Sequence, residues 1–239
     1  MNKFDRIVWR INGLLILGVG IVVGILALCG VYGIFKAKTS NHYRAEMVNV
    51  NEQTKKEEHL NLGAFVRIQG KSYFMSPLNS SQTYDFSYST KTASAIRNYL
   101  FYNTQDGTSS WLLDNHNSLI IDSYGLAEEF DADKDNGYGG YNRDIKSTAG
   151  FIFVLAKADT NSDKIINEDD GKNIVFTSFD GKGMKVILDG VSRVLGIKQN
   201  SSESAIIFYV LKDKNKVIEF NYKTGNVIRN TEIDLAIKK

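Results

Sequence analysis

The sequence predicts a mainly β protein with a single transmembrane helix near its N terminus. Two observations lead to this class. Residues 11–35 form an apolar run of 25 positions without a charged side chain. After residue 60, short β-branched or aromatic runs alternate with turn signals, which is typical of strands. The expected fold class is therefore one membrane helix followed by an all-β extramembrane domain.

The run 11–35 has the length of a membrane anchor. At about 1.5 Å per residue, a helix of this length crosses a hydrocarbon core of roughly 30 Å. It is longer than the apolar region of a signal peptide, and Lys36, Ala37 and Lys38 after it form no cleavage site, so we expect an uncleaved anchor. Basic residues flank both ends, and the short tail 1–10 favours a cytoplasmic N terminus. We expect a single-pass protein of a bacterial inner membrane with a periplasmic C-terminal domain.

Charge and cysteine content exclude two classes of protein. The formal net charge is +2, but residues 1–36 hold four basic side chains against Asp5, a net of +3, which leaves 2 − 3 = −1 for the remainder. This near-neutral remainder lacks the basic surface of a nucleic-acid-binding domain. Cys29 is the single cysteine and lies inside the apolar run, so the sequence excludes an intramolecular disulfide.

Small residues of the anchor predict a helix partner. Gly13, Gly20, Gly24 and Ala27 share one face of a helix, and Gly20 and Gly24 form the small-xxx-small pattern that lets two helices approach closely. The expected partners are therefore the lipid bilayer and either another integral membrane protein or a second copy of this chain. The alternative is that these glycines reflect ordinary membrane-helix composition.

The predicted organisation is a tail over 1–10, the anchor over 11–35, a polar spacer over 36–59 and a β-domain over 60–239. A short helix over Thr92–Arg97 competes with one of the strands. The predicted strands are Leu62–Ile68, Ser72–Met75, Tyr84–Tyr88, Ile96–Asn103, Trp111–Leu113, Leu119–Asp122, Phe151–Ala156, Ile174–Phe179, Lys185–Leu188, Val194–Ile197, Ala205–Leu211, Val217–Tyr222 and Val227–Arg229.

A weak internal repeat runs through this β-domain. Strands flank a turn at Asp106–Gly107, another at Asp180–Gly181 and a third at Thr224–Gly225. In these stretches the chain resembles the blade repeats of TolB-type and WD40-like β-propellers, although the Trp-Asp dipeptide is absent. That resemblance implies about four blades in this length, too few for a six- or seven-bladed ring. A partial propeller, an irregular β-sandwich and a barrel are the alternatives.

The residues 159–170 carry the most specific motif of the chain. Oxygen-bearing side chains occur at loop positions 1, 3, 5, 9 and 12, and Ile166 is the apolar residue at position 8. The motif resembles the calcium loops of EF-hand and dockerin proteins, except that Lys164 replaces the usual glycine at position 6 and the last acid is Asp rather than Glu. The resemblance implies a weak structural Ca²⁺ site. Its ligands would be Asp159, Asn161, Asp163, the carbonyl of Ile165, Asn167 and Asp170.

A second acidic loop is a weaker candidate. Three alternating aspartates within 131–142 are followed by glycines, but Asn142 stands where a twelfth-position acid is needed. A surface loop without a cation explains this pattern better than a second cation site does.

Catalytic motifs are absent from the sequence. Two of the three histidines, His42 and His59, lie in the predicted spacer, and His116 lies in a turn signal. No nucleophile elbow, zinc-binding helix motif or phosphate loop occurs. Alternating aromatics at 99–102 and Trp111 are more typical of core and sheet surface than of a ligand platform. We therefore expect no enzyme, but an accessory or scaffold subunit of an envelope membrane complex. The alternative is a free-standing membrane-anchored binding module or calcium-responsive sensor.

Overall fold

The structure is a computed structural model that describes residues 18, 48–49, 58–86, 89–131 and 146–235. For residues 48–49, 82–86 and 89–94 the description concerns the backbone alone. The chain divides into two units, Met1–Arg44 and Ala45–Lys239, and the second contains the described β-domain.

The described part of the chain is mainly β, which confirms the β class predicted for residues 60–239. The pairings between its strands are antiparallel. The strands are β1 (Val48–Asn49), β2 (Glu58–Leu62), β3 (Val66–Arg67), β4 (Tyr73–Phe86), β5 (Ser89–Asn103), β6 (Ser109–Trp111), β7 (Leu119–Ala127), β8 (Thr148–Ala156), β9 (Ile165–Ile166), β10 (Lys172–Ser178), β11 (Lys185–Val191), β12 (Arg193–Gln199), β13 (Ser204–Leu211), β14 (Lys214–Asn221) and β15 (Asn226–Glu232).

These strands form three consecutive four-stranded modules. Module 1 contains β3, β4, β5 and β6, module 2 contains β7, β8, β10 and β11, and module 3 contains β12 to β15. Modules 1 and 2 belong to one continuous sheet because β5 and β7 pair at Ile96 and Ile120, and β2 adds an edge strand to β4. Strands β1 and β9 pair separately. Repeated four-stranded antiparallel units of this kind make the β-domain propeller-like.

Module 2 is buried on both faces because the strand β8 lies between the other two modules. Phe151 and Phe153 point to module 1, where Tyr99 and Phe101 of β5 pack against them. The alternate residues of β8 point the other way and join a core with module 3 that includes Ile207 and Tyr209. Since successive side chains of a strand face opposite sides, an almost continuous apolar sequence such as 151–156 fits only a strand covered twice.

The predicted internal repeat corresponds to equivalent turns of the three modules. Each turn joins the third strand of its module to the fourth. Their glycines Gly107, Gly181 and Gly225 have φ values of 73°, 78° and 75°, a left-handed conformation that glycine adopts without steric cost. In modules 1 and 3 the turn begins with an asparagine whose carbonyl accepts the glycine N–H, at 3.0 Å from Gly107 and 2.7 Å from Gly225.

Contacts at the turns between first and second strands connect the modules. In the first junction, Lys71 pairs with Glu128 at 2.6 Å, and the N–H of Thr148 donates to the carbonyl of Gln69 at 2.9 Å. In the second junction, the amide of Gln199 accepts from the Ala127 N–H and donates to the Ala127 carbonyl, both at 2.8 Å. The first junction is thus charged and exposed, whereas the second is neutral.

Several sequence-based boundaries were wrong. The short helix expected over Thr92–Arg97 is part of β5, because pairing with β4 along its whole length outweighs a weak helical pattern. Two strands predicted separately, Ser72–Met75 and Tyr84–Tyr88, fall on the single long strand β4, which ends at Phe86. The predicted spacer 36–59 contains β1 and the start of β2.

The predicted membrane anchor lies outside the described residues, apart from Gly18. Within the part of the chain that the structure describes, no helix is long and apolar enough to cross a membrane.

Candidate functional sites

The predicted calcium loop connects β8 to β10 of module 2, between two neighbouring strands as expected. Its backbone is folded around the first acid. The Asp159 carboxylate accepts the Asp163 N–H at 3.2 Å and the Lys164 N–H at 2.8 Å. The side-chain oxygen of Asn161 accepts the Asp163 N–H at 3.0 Å. A carboxylate oxygen of Asp163 in turn accepts the Ile165 N–H at 2.9 Å. These bonds gather three of the predicted ligands along one short turn.

Lys164 has the backbone conformation that the motif assigns to glycine. Its φ is 68°, and that of Ser162 is 64°, both in the left-handed region. A side chain in this conformation costs about 1–2 kcal/mol, so the hydrogen bonds to Asp159 must hold the turn in place. Lys164 in place of glycine at position 6 therefore raises the conformational energy of the turn but leaves its backbone conformation unchanged.

The second half of the loop is anchored in the protein core. Ile166 is 3% exposed and packs with Ala95, Leu119 and Ala156, which is the inward position predicted for it. Ile165 and Ile166 form the strand β9, which pairs with β1.

Asp170 closes the loop. Its carboxylate is fully buried and accepts the N–H of Thr160 at 2.7 Å and that of Asn167 at 2.8 Å. The hydroxyl of Thr160 donates to the same carboxylate at 3.1 Å, and Asn167 accepts the N–H of Asp169 at 2.7 Å. Oδ1 thus accepts both bonds from Thr160, and Oδ2 accepts the bond from Asn167.

The chemistry of the loop fits a hard cation in part. Asp159, Asn161 and Asp163 carry side-chain oxygens of the type that Ca²⁺ prefers, but these oxygens, like those of Asn167 and Asp170, accept N–H groups of the loop itself. Among the described residues, no group of three or more His, Cys, Asp or Glu side chains is placed to hold a metal ion.

A cleft of about 350 Å³ lies between modules 2 and 3, and nothing in the sequence predicted it. Its walls come from the first strands β7 and β12, and the end of the calcium-type loop closes one side. Ile121, Val154, Val194 and Leu195 provide apolar walls. The charged and polar residues of the cleft are Asp122, Tyr124, Glu168, Asp169, Lys172, Ser192 and Arg193.

Lys172 fixes the wall of the cleft. It is 4% exposed, and its ammonium donates to the carbonyls of Glu168, Asp170 and Ser192 at 2.5, 3.0 and 2.8 Å. A buried ammonium needs such acceptors to replace its hydration. This lysine therefore connects the loop of module 2 to the first residue after β11.

Tyr124 faces the same space in its neutral form. Burial raises the pKa of Tyr124 to about 12, and the Asp122 carboxylate beside it adds to the shift. The described residues that line the cleft include neither histidine nor cysteine. The combination of apolar walls and polar groups is suited to binding a small polar molecule.

The outer face of module 1 is the side of β4, β5 and β6 opposite to module 2. It consists of Phe74, Leu100, Tyr102 and Trp111, of which three are aromatic. Cross-strand pairing joins Phe74 to Tyr102 and Leu100 to Trp111. Tyr102 is 39% exposed and Trp111 41%. The guanidinium of Arg67 lies 5.9 Å from the centre of the Phe74 ring.

The outer face of module 3 is the side of β13 and β14 away from module 2, and it consists of Ile206, Phe208, Val217 and Glu219. It is partly apolar, but it also carries the Glu219 carboxylate. Glu219 pairs with Arg229 at 3.1 Å. Its other oxygen accepts from Asn200 at 2.8 Å and from Ser204 at 3.2 Å.

The aromatic residues singled out in the sequence divide between core and surface. Tyr99 and Phe101 are buried against module 2, whereas Tyr102 and Trp111 are exposed. Alternation along β5 predicts the division but not which side is covered.

His116 has a packing role among the described residues. It lies 3.0 Å from the buried amide of Asn98 and contacts the Trp111 ring edge-on. His59 is in β2.

The other predicted site residues lie outside the described part of the chain. These are the helix-packing residues Gly13, Gly20, Gly24 and Ala27, together with positions 132–142 of the second acidic loop.

No protein-family model matches the sequence, and a search of curated proteins found no match. Similar solved structures include the β-propeller domain of the Trilobed protease from Pyrococcus furiosus, which is 12% identical with a TM-score of 0.37. The acylaminoacyl peptidase of Pyrococcus horikoshii is 10% identical with a TM-score of 0.36, and a luciferin-regenerating enzyme is 9% identical with a TM-score of 0.32.

These similarities cover most of this chain but only part of the other proteins. They span 74%, 79% and 78% of this chain and 43%, 27% and 64% of the three solved chains, in the same order. The chain thus spans less than two thirds of the length of each. The peptidase and enzyme names belong to those proteins.

Proposed function

We propose that this protein is a non-enzymatic, single-pass accessory or scaffold subunit of a larger envelope membrane complex, with its β-domain on the periplasmic side. One observation carries the proposal. The outer face of module 1 exposes Tyr102 and Trp111, at 39% and 41%, on a stack whose inner faces are fully packed. Exposed clusters of large aromatic side chains are typical of protein–protein interfaces.

The test is purification of the full-length protein from its own membrane in mild detergent. We expect other membrane proteins to co-purify in a fixed ratio. Gly20→Leu with Gly24→Leu should weaken that association without reducing insertion, because leucine is as apolar as lipid but prevents close helix approach. A protein that runs alone, or only as a dimer with itself, would contradict the accessory-subunit proposal.

A free-standing binding or calcium-responsive module is the second candidate. The cleft of about 350 Å³ between β7 and β12 favours it, since this volume is in the range of small-molecule sites. The same purification separates the two candidates, because a free-standing module needs no membrane partner.

We also propose that the loop 159–170 binds Ca²⁺ as a structural ion. Asp159, Asn161, Asp163 and the Ile165 carbonyl would form the core of the site, with Asn167 and Asp170 completing it. Three carboxylates and the strained sixth position suggest a Kd on the order of 10⁻⁴ M. An ion present at about ten times its Kd that binds only the folded state adds roughly 1.4 kcal/mol of stability.

The calcium site predicts a higher melting temperature of the full chain in millimolar Ca²⁺ than in chelator. Asp159→Ala with Asp163→Ala should abolish this difference. The exposed acid Glu129 lies outside the loop, and Glu129→Ala should retain the difference. Equal melting temperatures of the wild type under both conditions would exclude the site.

A further inference from the structure

The cleft between modules 2 and 3 contains an exposed acid and an exposed base on different walls. Glu168 comes from the end of the calcium-type loop, and Arg193 is the first residue of β12. In the part of the chain that the structure describes, neither side chain forms an ion pair or a hydrogen bond. Both charges are therefore available to a molecule that enters the cleft.

The buried ammonium of Lys172 fixes the two walls relative to each other. It donates to the carbonyl of Glu168 at 2.5 Å and to that of Ser192, the neighbour of Arg193, at 2.8 Å. A third donation, to the Asp170 carbonyl at 3.0 Å, uses the last of its three N–H groups. Lys172 thus positions the backbones that carry the acid and the base, and its own charge is satisfied by the protein.

The other charged groups of the cleft are acidic. Asp122 of β7 lies beside Tyr124, and Asp169 adds a further carboxylate. A simple anion would therefore meet repulsion from these carboxylates, whereas a simple amine would leave the Arg193 guanidinium without a partner. A molecule that carries both an ammonium and a carboxylate complements both kinds of charge.

The apolar part of the cleft consists of aliphatic side chains. Ile121 and Val154 contribute from module 2, and Val194 and Leu195 contribute from module 3. The cleft volume of about 350 Å³ is in the range of small-molecule sites. An aliphatic group of a ligand would be removed from water between these walls, which favours binding.

We propose that this cleft binds a free α-amino acid with an aliphatic side chain. Arg193 holds the carboxylate through its fork of N–H groups, Glu168 accepts the ammonium, and the side chain lies against Val194 and Leu195. An α-amino acid fits better than a longer zwitterion because its two charges are close together, like the two backbones that Lys172 connects. The proposal goes beyond the accessory-subunit function and deepens the second candidate, since it rests on the cleft as a binding site.

Three probes with the same aliphatic body separate the contributions of the two charges. Leucine carries both charges, isoamylamine lacks the carboxylate, and isocaproate lacks the ammonium. Isothermal titration calorimetry of the full-length protein in mild detergent should give leucine an affinity at least about tenfold higher than that of either analogue. Titration in the presence of chelator keeps the proposed calcium site equally empty in each protein.

Two variants assign the charges to their residues. Arg193→Gln should weaken leucine binding at least about tenfold and leave isoamylamine binding unchanged. Glu168→Gln should weaken leucine binding similarly and leave isocaproate binding no weaker. The matched controls Arg229→Gln and Glu129→Gln alter an exposed base and an exposed acid outside the cleft, and both should keep the wild-type affinity for leucine. Circular dichroism checks that each variant is folded, and the comparison of probes on the wild type needs no variant.

Three results would overturn the proposal. The first is no heat of leucine binding to the wild type at millimolar concentration. The second is a leucine affinity no higher than that of an analogue. The third is that Arg193→Gln and Glu168→Gln leave leucine binding unchanged or weaken all three probes equally. These results are independent of co-purification with other membrane proteins, which tests the accessory-subunit function.

Discussion

The two ends of the module stack present faces of similar exposure but different chemistry. Tyr102 at one end is 39% exposed and Phe208 at the other is 36%. At the first end the aromatic residues lie beside Leu100 and Arg67, and at the second they lie beside a carboxylate with three partners. The two outer faces therefore differ in their charged groups rather than in exposure.

The prediction with the largest expected effect compares a residue buried between modules 1 and 2 with a residue on the outer face of module 1. Phe153 is fully buried between modules 1 and 2, so Phe153→Ala should lower the free energy of unfolding by about 3–5 kcal/mol. Tyr102→Ala removes an aromatic residue from the open face and should cost no more than about 0.5 kcal/mol in the isolated protein. Urea unfolding followed by tryptophan fluorescence measures both. A similar loss for the two variants would show that the outer face of module 1 is covered within the chain.

A second test concerns how closely the covered face is packed. Gly181 has φ 78°, and a Cβ there would lie 2.5 Å from the Phe101 ring. Gly181→Ala should therefore cost about 2–4 kcal/mol, from backbone strain and overpacking together. Gly183 is the control, since its φ is 64° but no atom lies within 4 Å of the added Cβ. Gly183→Ala should cost about 1 kcal/mol, and equal losses would show that Phe101 yields to the new methyl group.

The prediction with the smallest expected effect concerns the outer face of module 3. Glu219→Ala removes the acceptor of Asn200, Ser204 and Arg229 and should cost about 1–2 kcal/mol. Arg229→Ala should cost less than about 0.5 kcal/mol, because its side chain is 57% exposed and water replaces the pair. Thermal unfolding at low and high salt measures both. An Arg229→Ala loss as large as that of Glu219→Ala would mean that the ion pair, not the hydrogen bonds, holds the carboxylate.

Much of the β-domain was predictable because its strands are short, regular and separated by glycine turns. The β-branched and aromatic runs at 151–156 and 205–211 predict strands that the structure confirms as β8 and β13. Over Thr92–Arg97, where a short helix competed with a strand, the hairpin pairing of β4 with β5 decides for the strand. The partners β1 and β9 are distant in sequence, so their pairing leaves no local signal.

The candidate sites were predictable to different degrees. The loop 159–170 has a spaced pattern of oxygen side chains, which sequence alone detects, but the engagement of Asp170 by Thr160 depends on the folded turn. The cleft was missed because its walls come from β7 and β12, and Lys172 gave no signal since lysine is rarely buried.

The order of the modules along the chain has a consequence for biosynthesis. The apolar surface of module 2 that includes Ile152 and Ile174 is completed when β11 ends at Val191, and its cover requires β12 to β14, which end at Asn221. At ribosomal rates of roughly 5–20 residues per second, that surface waits about 2–6 seconds for the next thirty residues. The strand β14 also carries Glu219, so the carboxylate on the outer face of module 3 is added together with the cover of module 2.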